Sequence, residues 1–149
     1  MADAKPIYQA FLDETSELMW NQDYATYATR MQYPYRMRTA AKDTFNEVPE
    51  DSVACSRAFR ENLTAMGAQA FHRICIQAEF ETSNRIHGVH TTYILRGATE
   101  LLPPFRTHLT LHFVDGIWLG GDVVAEIRNA DISINAAPVS NVTSIKRAM

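Results

Sequence analysis

The chemistry that this sequence suggests first is that of histidine, because five histidines occur and four of them lie in predicted strands. Imidazole binds metal ions and transfers protons near neutral pH. His87 and His90 are three residues apart, so in a strand they point to opposite faces. His108 and His112 share a face, but a rise of about 3.3 Å per residue separates them by about 13 Å. Neither pair can bind one zinc ion alone, so we predict no metal site; a site assembled from several strands remains the alternative.

The Asp115-Gly116 dipeptide predicts where the carboxylate of Asp122 lies. A two-residue type I′ hairpin turn needs positive φ at both positions, which Asp-Gly accommodates. Counting outward from this turn gives four pairs: Val114 with Ile117, Phe113 with Trp118, Leu111 with Gly120, and Leu109 with Asp122. Asp122 would then lie on an otherwise apolar face, where full burial raises a carboxyl pKa by as much as ~3 to 5 units and suits it to acid–base catalysis. The structural alternative, which is the commoner case, is an Asp that binds a nearby Arg or a backbone amide.

His108 is the second candidate for proton transfer. The same register puts it on the other face of its strand, with Arg106 and His112, where a dimer partner would cover it. A single bulge would reverse this arrangement and let His108 converge with Asp122 as an acid–base pair. Both arrangements stay open from the sequence.

Tyrosine hydroxyls are the remaining polar groups that could contact a ligand. Tyr33, Tyr35 and Tyr93 lie in predicted strands and could donate hydrogen bonds to a ligand carbonyl. Tyrosines at strand spacing are more often core residues with one satisfied hydroxyl, so this pattern alone assigns no role.

Hydrophobic periodicity predicts the elements that position these side chains. Helical spacing indicates a helix with Pro6 in its first turn, a short helix capped by Asp23, and a long helix from Pro49 to the stop at Gly67. Alternation indicates a strand over residues 33–39 with a short hairpin partner over 44–48. Further strands fill residues 73–126, and Gly97 marks a candidate bulge there.

Bulk properties exclude several classes of protein. The 149 residues suit one domain, with 46% hydrophobic and 21% charged residues. A net charge of −3 with scattered basic residues excludes an electrostatic footprint for nucleic acid. The sequence has no signal-peptide pattern and no apolar run long enough to span a membrane, so we predict a cytoplasmic protein. No phosphate-binding Gly-rich loop or nucleophile elbow occurs, and we predict no cofactor.

The order of these elements resembles the nuclear transport factor 2-like superfamily and, within it, the SnoaL-like branch. The resemblance covers about residues 5–127, and Val114-Asp115-Gly116-Ile117-Trp118 is similar to the aromatic-bearing final hairpin of those proteins. It implies an α+β cone, in which three helices close one end of a strongly curved antiparallel sheet. It also implies a pocket inside the cone, a homodimer through the sheet face, and an acid–base residue on the last strands.

One branch of the superfamily fits poorly. Ketosteroid isomerases carry a catalytic Asp directly before a Pro on the first strand, whereas the matching dipeptide here is Tyr33-Pro34. A phenol with a pKa near 10 is a poor base at pH 7. The mechanism of that branch is therefore not predicted for this chain.

These patterns lead to one functional hypothesis and one alternative. The hypothesis is a dimeric SnoaL-like domain over residues 1–128, followed by a tail over 129–149, that binds a small, largely apolar molecule. The predicted pocket residues are Tyr33, Tyr35, Tyr93, Phe113 and Trp118. Isomerisation, cyclisation or dehydration of a carbonyl-containing ring would use Asp122, with His108 as the second tentative catalytic residue. The alternative is a non-catalytic module whose dimer face or tail binds a protein.

Overall fold

A computed structural model describes residues 3–127 as three α-helices and seven β-strands. The helices are α1 (Ala4–Trp20), α2 (Tyr24–Ala28) and α3 (Pro49–Met66). The strands are β1 (Tyr35–Arg38), β2 (Asp43–Asn46), β3 (Ala70–Thr82), β4 (Arg85–Arg96), β5 (Thr99–Glu100), β6 (Phe105–Val114) and β7 (Ile117–Ala125). The tail predicted over residues 129–149 lies outside the described residues. Within residues 3–127, no helix is long and apolar enough to cross a membrane.

The helices begin and end where the sequence predicts. Asp23 caps α2 by accepting the Thr26 N–H at 3.3 Å. Helix α3 begins at Pro49 and ends at Gly67, whose φ of 79° is left-handed and favours glycine. Helix α1 packs on the sheet through one face, and its buried side chains are Ala4, Tyr8, Phe11, Leu12, Thr15 and Met19.

The strands form one curved sheet in the order β2-β1-β7-β6-β4-β3, with β5 paired to β4. The α+β cone is confirmed, but the expectation of a wholly antiparallel sheet is wrong at one place. Strand β1 pairs with β7 in parallel, with Met37 opposite Val123. A parallel pair needs a long crossover connection, and the chain supplies one because α3 and five strands lie between β1 and β7.

The last hairpin has the predicted turn but not the whole predicted register. Asp115 and Gly116 have φ of 50° and 85°, and Val114, Phe113 and Leu111 face the partners that simple counting assigns. The predicted pair of Leu109 with Asp122 is wrong, because Leu109 lies opposite Val123. A bulge in β7 sets Gly121 and Asp122 together against one residue of β6, which shifts every later residue by one and reverses the face it occupies.

Gly97 does not mark a bulge. It has a φ of 59° and lies in the tight turn that joins β4 to β5. A positive φ is readily adopted by glycine, so the residue supplies the turn rather than an irregularity within a strand.

Helix α1 approaches the sheet most closely at Gly88 of β4. A Cβ added at Gly88 would lie 2.1 Å from Cε2 of Tyr8, which is fully buried in the core between helix and sheet. The Tyr8 ring therefore lies directly on the sheet backbone, and glycine is required there by packing rather than by φ.

We expect Gly88→Ala to destabilise the fold by about 1–3 kcal/mol, because the added methyl group overlaps a ring that core packing holds in place. Alanine is otherwise preferred to glycine in strands by roughly 0.5–1 kcal/mol, so intrinsic propensity predicts the opposite sign. Urea unfolding measures the difference. Thr91→Ala, on the outer face of β4, is the control and should cost less; equal losses in the two variants would contradict the close contact.

Candidate functional site

The space between the helices and the concave face of the sheet holds a cavity of about 120 Å³. Its wall combines side chains from all three helices with residues of β1, β3, β4, β6 and β7. The apolar wall residues include Phe11, Met19, Tyr27, Met31, Phe59, Phe71, Phe105, Leu109 and Val123. The cavity wall is therefore mostly apolar, and its few polar groups determine what chemistry the cavity can support.

His90 of β4 is a buried polar residue of the wall, with 2% of its surface exposed. Its Nδ1 lies 2.6 Å from the hydroxyl oxygen of Tyr8. Burial raises the pKa of Tyr8 far above its ordinary range, so the phenol stays protonated. Because the Tyr8 hydroxyl has no other acceptor within residues 3–127, we assign it as the donor to Nδ1. The ring proton of His90 is then on Nε2, which remains available to donate to a bound molecule.

The electrostatics of His90 keep its imidazole neutral. Burial is the main cause and the nearby Arg73 guanidinium adds to it, and together they lower the pKa of His90 to about 2. A neutral imidazole whose Nε2 carries the proton is a hydrogen-bond donor toward the cavity and not a base. The Tyr8–His90 pair can therefore polarise a ligand oxygen but does not accept a proton at Nε2.

Arg73 of β3 brings a positive charge into the same wall. Its Nε donates to Ser16 Oγ at 2.7 Å, and its Nη2 donates to the Leu12 carbonyl at 3.0 Å and to Thr15 Oγ1. These acceptors all lie on α1 and are all uncharged. Burial lowers the pKa of Arg73, as expected for a cation removed from water.

Tyr35 belongs to a separate hydrogen-bonded group on the α3 side of the cavity. Its hydroxyl lies 2.5 Å from Ser52 Oγ and accepts the side-chain N–H of Asn46 at 2.6 Å. Burial raises its pKa well above the ordinary value. The hydroxyl is thus held neutral and already occupied, which makes it a wall group more than a reactive one.

Comparison with known proteins identifies the fold of this chain. No family model matches the chain, and no curated protein sequence matches it. Many solved structures are similar in shape. A cystatin-like domain of unknown function from Nostoc punctiforme has TM-score 0.65 and 13% identity, covering 86% of this chain and 80% of that one. An NTF-2 like protein of unknown function from Shewanella oneidensis has TM-score 0.61 and 12% identity, covering 79% and 94%.

A third similar structure is an enzyme. The hexachlorocyclohexane dehydrochlorinase LinA-type3 from Novosphingobium barchaimii has TM-score 0.59 and 10% identity, covering 83% of this chain and 85% of that one. This chain has the nuclear transport factor 2-like fold. At these identities the structural similarity establishes only the fold, so the role of the site has to be inferred from its own residues.

Asp122 lies outside the cavity of this nuclear transport factor 2-like cone. The β7 bulge turns it to the exposed side, where its Oδ1 accepts the Arg36 backbone N–H at 2.9 Å. The structural alternative, an Asp that binds a backbone amide, is therefore what the structure contains. The premise that Asp122 lies on a buried, apolar face is wrong.

His108 also lies outside the cavity, and it does not meet Asp122. Its ring nitrogens are 3.5 Å from His87 Nε2 and 3.5 Å from Glu126 Oε2, on the outer face of the sheet. A bulge does occur, but it lies in β7, so it moves Asp122 outward and leaves His108 of β6 where simple counting put it. The predicted acid–base pair is not assembled.

Of the five predicted pocket residues, only Tyr35 lines the cavity. Tyr33 packs against Tyr35, and its hydroxyl donates to the Ala28 carbonyl at 2.7 Å. Tyr93 lies on the outer face, since its neighbours Thr92 and Ile94 are the buried residues of β4. Phe113 and Trp118 stack on each other, with ring centroids 5.0 Å apart, outside the cavity wall.

The polar residues that do line the cavity were missed by sequence reasoning. His90 was judged only for metal binding, and Arg73 was given no role. One signal was present: Gly88, His90 and Thr92 alternate along β4, and a glycine within a strand often marks a close backbone approach. Among residues 3–127, no three His, Cys, Asp or Glu side chains are grouped to hold a metal ion.

The buried neutral state of His90 should make stability depend on pH. The pKa of His90 is about 2 in the folded protein and about 6.5 for an ordinary histidine, so the unfolded state binds the proton more readily. This contribution to stability is complete above pH 6.5 and is lost as pH falls toward 2. Between pH 7 and pH 5 we expect it to fall by about 2 kcal/mol.

Urea unfolding of wild type and His90→Asn at both pH values tests this expectation. The variant should lose less stability than wild type on acidification, by about 2 kcal/mol, whatever its stability at pH 7. His72→Gln is the control, because His72 is exposed on the outer face. Parallel pH profiles for wild type and His90→Asn would rule out the buried neutral imidazole.

Proposed function

We propose that this protein binds a small, largely apolar molecule inside its cone. The observation that carries the proposal is a mostly apolar cavity with a few polar side chains, chiefly His90 and Arg73, in its wall. An apolar surface with a few hydrogen-bonding groups in fixed positions is typical of small-molecule sites.

The size of the cavity limits the ligand. About 120 Å³ is close to the roughly 150 Å³ of an engineered apolar cavity that takes up benzene or xenon. It is well below the roughly 300–1,000 Å³ of pockets for drug-sized molecules. We therefore expect a ligand with a single ring or a short branched chain. The LinA-type3 neighbour is named for hexachlorocyclohexane, which also has one six-membered ring.

The polar groups favour binding over proton abstraction. Among the residues that the structure describes, the cavity wall contains no Asp or Glu. His90 is neutral with its Nε2 proton in place, and Arg73 remains a cation. These groups donate hydrogen bonds and do not remove protons, so the isomerase, cyclase or dehydratase activity that a carboxylate base would support has no base in this wall.

Filling the cavity should abolish binding without unfolding the protein. Ser56 lines the cavity, and its hydroxyl donates within α3, to the Ser52 carbonyl at 2.8 Å. Ser56→Leu therefore removes no bond between elements while it occupies the space. We expect wild type to bind benzene and xenon saturably, and Ser56→Leu to weaken both by at least about tenfold, by ligand-observed and ¹²⁹Xe NMR.

Ile117→Phe is the matched control, since Ile117 is 44% exposed at the hairpin. It adds apolar volume away from the cavity and should leave binding unchanged. The proposal would be contradicted if wild type bound neither benzene nor xenon, or if Ser56→Leu bound them as tightly as wild type does.

A second candidate function is a homodimer through the outer face of the sheet. Ile74 is 51% exposed on the edge strand β3, and its cross-strand partner is Thr91. The adjacent pair, Arg73 and Thr92, faces the cavity, so Ile74 faces outward. Ile76, in the β3 bulge, is also 45% exposed. An exposed apolar strip on an edge strand is a surface that a second copy could cover.

Light scattering at micromolar concentration tests the dimer. We expect a dimer for wild type and a monomer for Ile74→Glu, because a carboxylate at the centre of an apolar contact would be desolvated. Ile117→Glu, a similarly exposed site away from this face, should remain dimeric. A wild-type protein that is monomeric throughout would remove this candidate.

A further inference from the structure

Arg73 differs from the paired surface arginines in having no carboxylate partner. Arg30 pairs with Glu14, Arg85 with Glu81 and Arg106 with Glu126, and all of these pairs lie near the surface. Within residues 3–127, no Asp or Glu forms an ion pair with Arg73, although its guanidinium is partly buried in the wall of the cone, and Asp13 acts on it only at longer range. Burial of a charge without a counterion is unfavourable, so such groups are normally paired.

The contacts of Arg73 account for only one side of its guanidinium. Nε and Nη2 bind Ser16, Leu12 and Thr15 of α1, which fixes the plane of the group. Nη1 has no hydrogen-bond partner in the part of the chain that the structure describes. The guanidinium is thus held rigidly by neutral groups, with two N–H bonds left over.

Other hydrogen-bond donors are close to Arg73 along the sheet. Thr92 of β4 lies directly opposite Arg73 of β3, and His90 lies two residues before Thr92. All three residues line the cavity. His90 supplies a neutral Nε2–H, and Thr92 supplies a hydroxyl. One cation with two neutral donors matches a single negative charge spread over two oxygen atoms.

We infer that the ligand of this cavity is a small monocarboxylate, whose apolar body fills the cone and whose carboxylate is bound by Arg73. This inference rests on the proposed binding function and adds the class of ligand to it. A dianion such as a phosphate monoester fits less well, since a second cation is missing from the described cavity wall. The ligand itself completes the charge balance that the chain leaves open.

Benzoate and nitrobenzene are the probes that isolate the charge. They have nearly the same shape, and only benzoate is an anion at pH 7.5. We expect wild type to bind benzoate at least about tenfold more tightly than nitrobenzene in calorimetric or NMR titrations, as charge-assisted hydrogen bonds imply. Arg73→Gln should abolish this preference by weakening benzoate binding, with nitrobenzene affinity within about threefold of wild type.

Two further variants make the result interpretable. Arg85→Gln removes a surface arginine outside the cavity and should keep the benzoate preference. Arg73→Lys keeps the charge but loses the planar fork, so it should retain a reduced preference, and it serves if Arg73→Gln fails to fold. A merely structural role for Arg73 would lower stability in both Arg73 variants without changing the ratio of the two affinities.

The outcomes separate this inference from the proposed function. Equal affinities for benzoate and nitrobenzene in wild type, or a ratio unchanged in Arg73→Gln, would overturn the carboxylate inference and leave an apolar binding cavity. Absence of binding by benzene, nitrobenzene and benzoate alike would overturn both. Benzoate preference that depends on Arg73 alone among the arginines tested supports the monocarboxylate.

Discussion

The contact between Tyr8 and Gly88 is the constraint on which the rest of the cone depends. Because residue 88 has no side chain, the Tyr8 ring can lie against the β4 backbone and bring α1 down onto the sheet. The same placement carries the Tyr8 hydroxyl to His90, two residues along the strand, and so decides which imidazole nitrogen keeps its proton. A second close approach, of Met31 to Gly120 of β7, closes the other side. The missing side chain at Gly88 thus determines both how α1 packs on the sheet and where the Tyr8 hydroxyl meets His90.

The fold could be predicted because its signals are local. The start of α3 at Pro49, its end at Gly67 and the turn at Asp115-Gly116 each depend on a few neighbouring residues, and the structure confirms all three. Register beyond a bulge is not local in this sense. The hairpin pairs near the turn agree with simple counting, but an extra residue at Gly121-Asp122 reverses every face after it. Two consecutive glycines in a strand were the available hint, because a strand with little side chain to pack tolerates a bulge.

The candidate site was harder to predict than the fold, because alternation along a strand separates two faces without naming the inner one. On β4 the residues from Val89 to Leu95 at odd positions look like a core face, yet the even-numbered His90 and Thr92 line the cavity and Gly88 lies against Tyr8. The cavity wall on this strand is thus more polar than its outer face. This distribution is the reverse of the usual rule, in which the more hydrophobic face of a strand is the buried one. Only the position of α1 on the sheet determines which face of β4 is the inner one.

The identity of the buried polar groups also restricts any reaction in this cone. Abstraction of a proton requires a base with a pKa near the working pH, and the Tyr8–His90 hydrogen bond leaves the available imidazole nitrogen protonated. Arg73 lowers the pKa of His90 further, so the two groups reinforce each other as donors. A carbonyl or carboxylate oxygen in the cavity would therefore meet a neutral donor and a cation, and its electrons would be drawn toward the wall. This arrangement would stabilise an oxyanion, and within residues 3–127 the cavity wall contains no Asp or Glu to accept a proton.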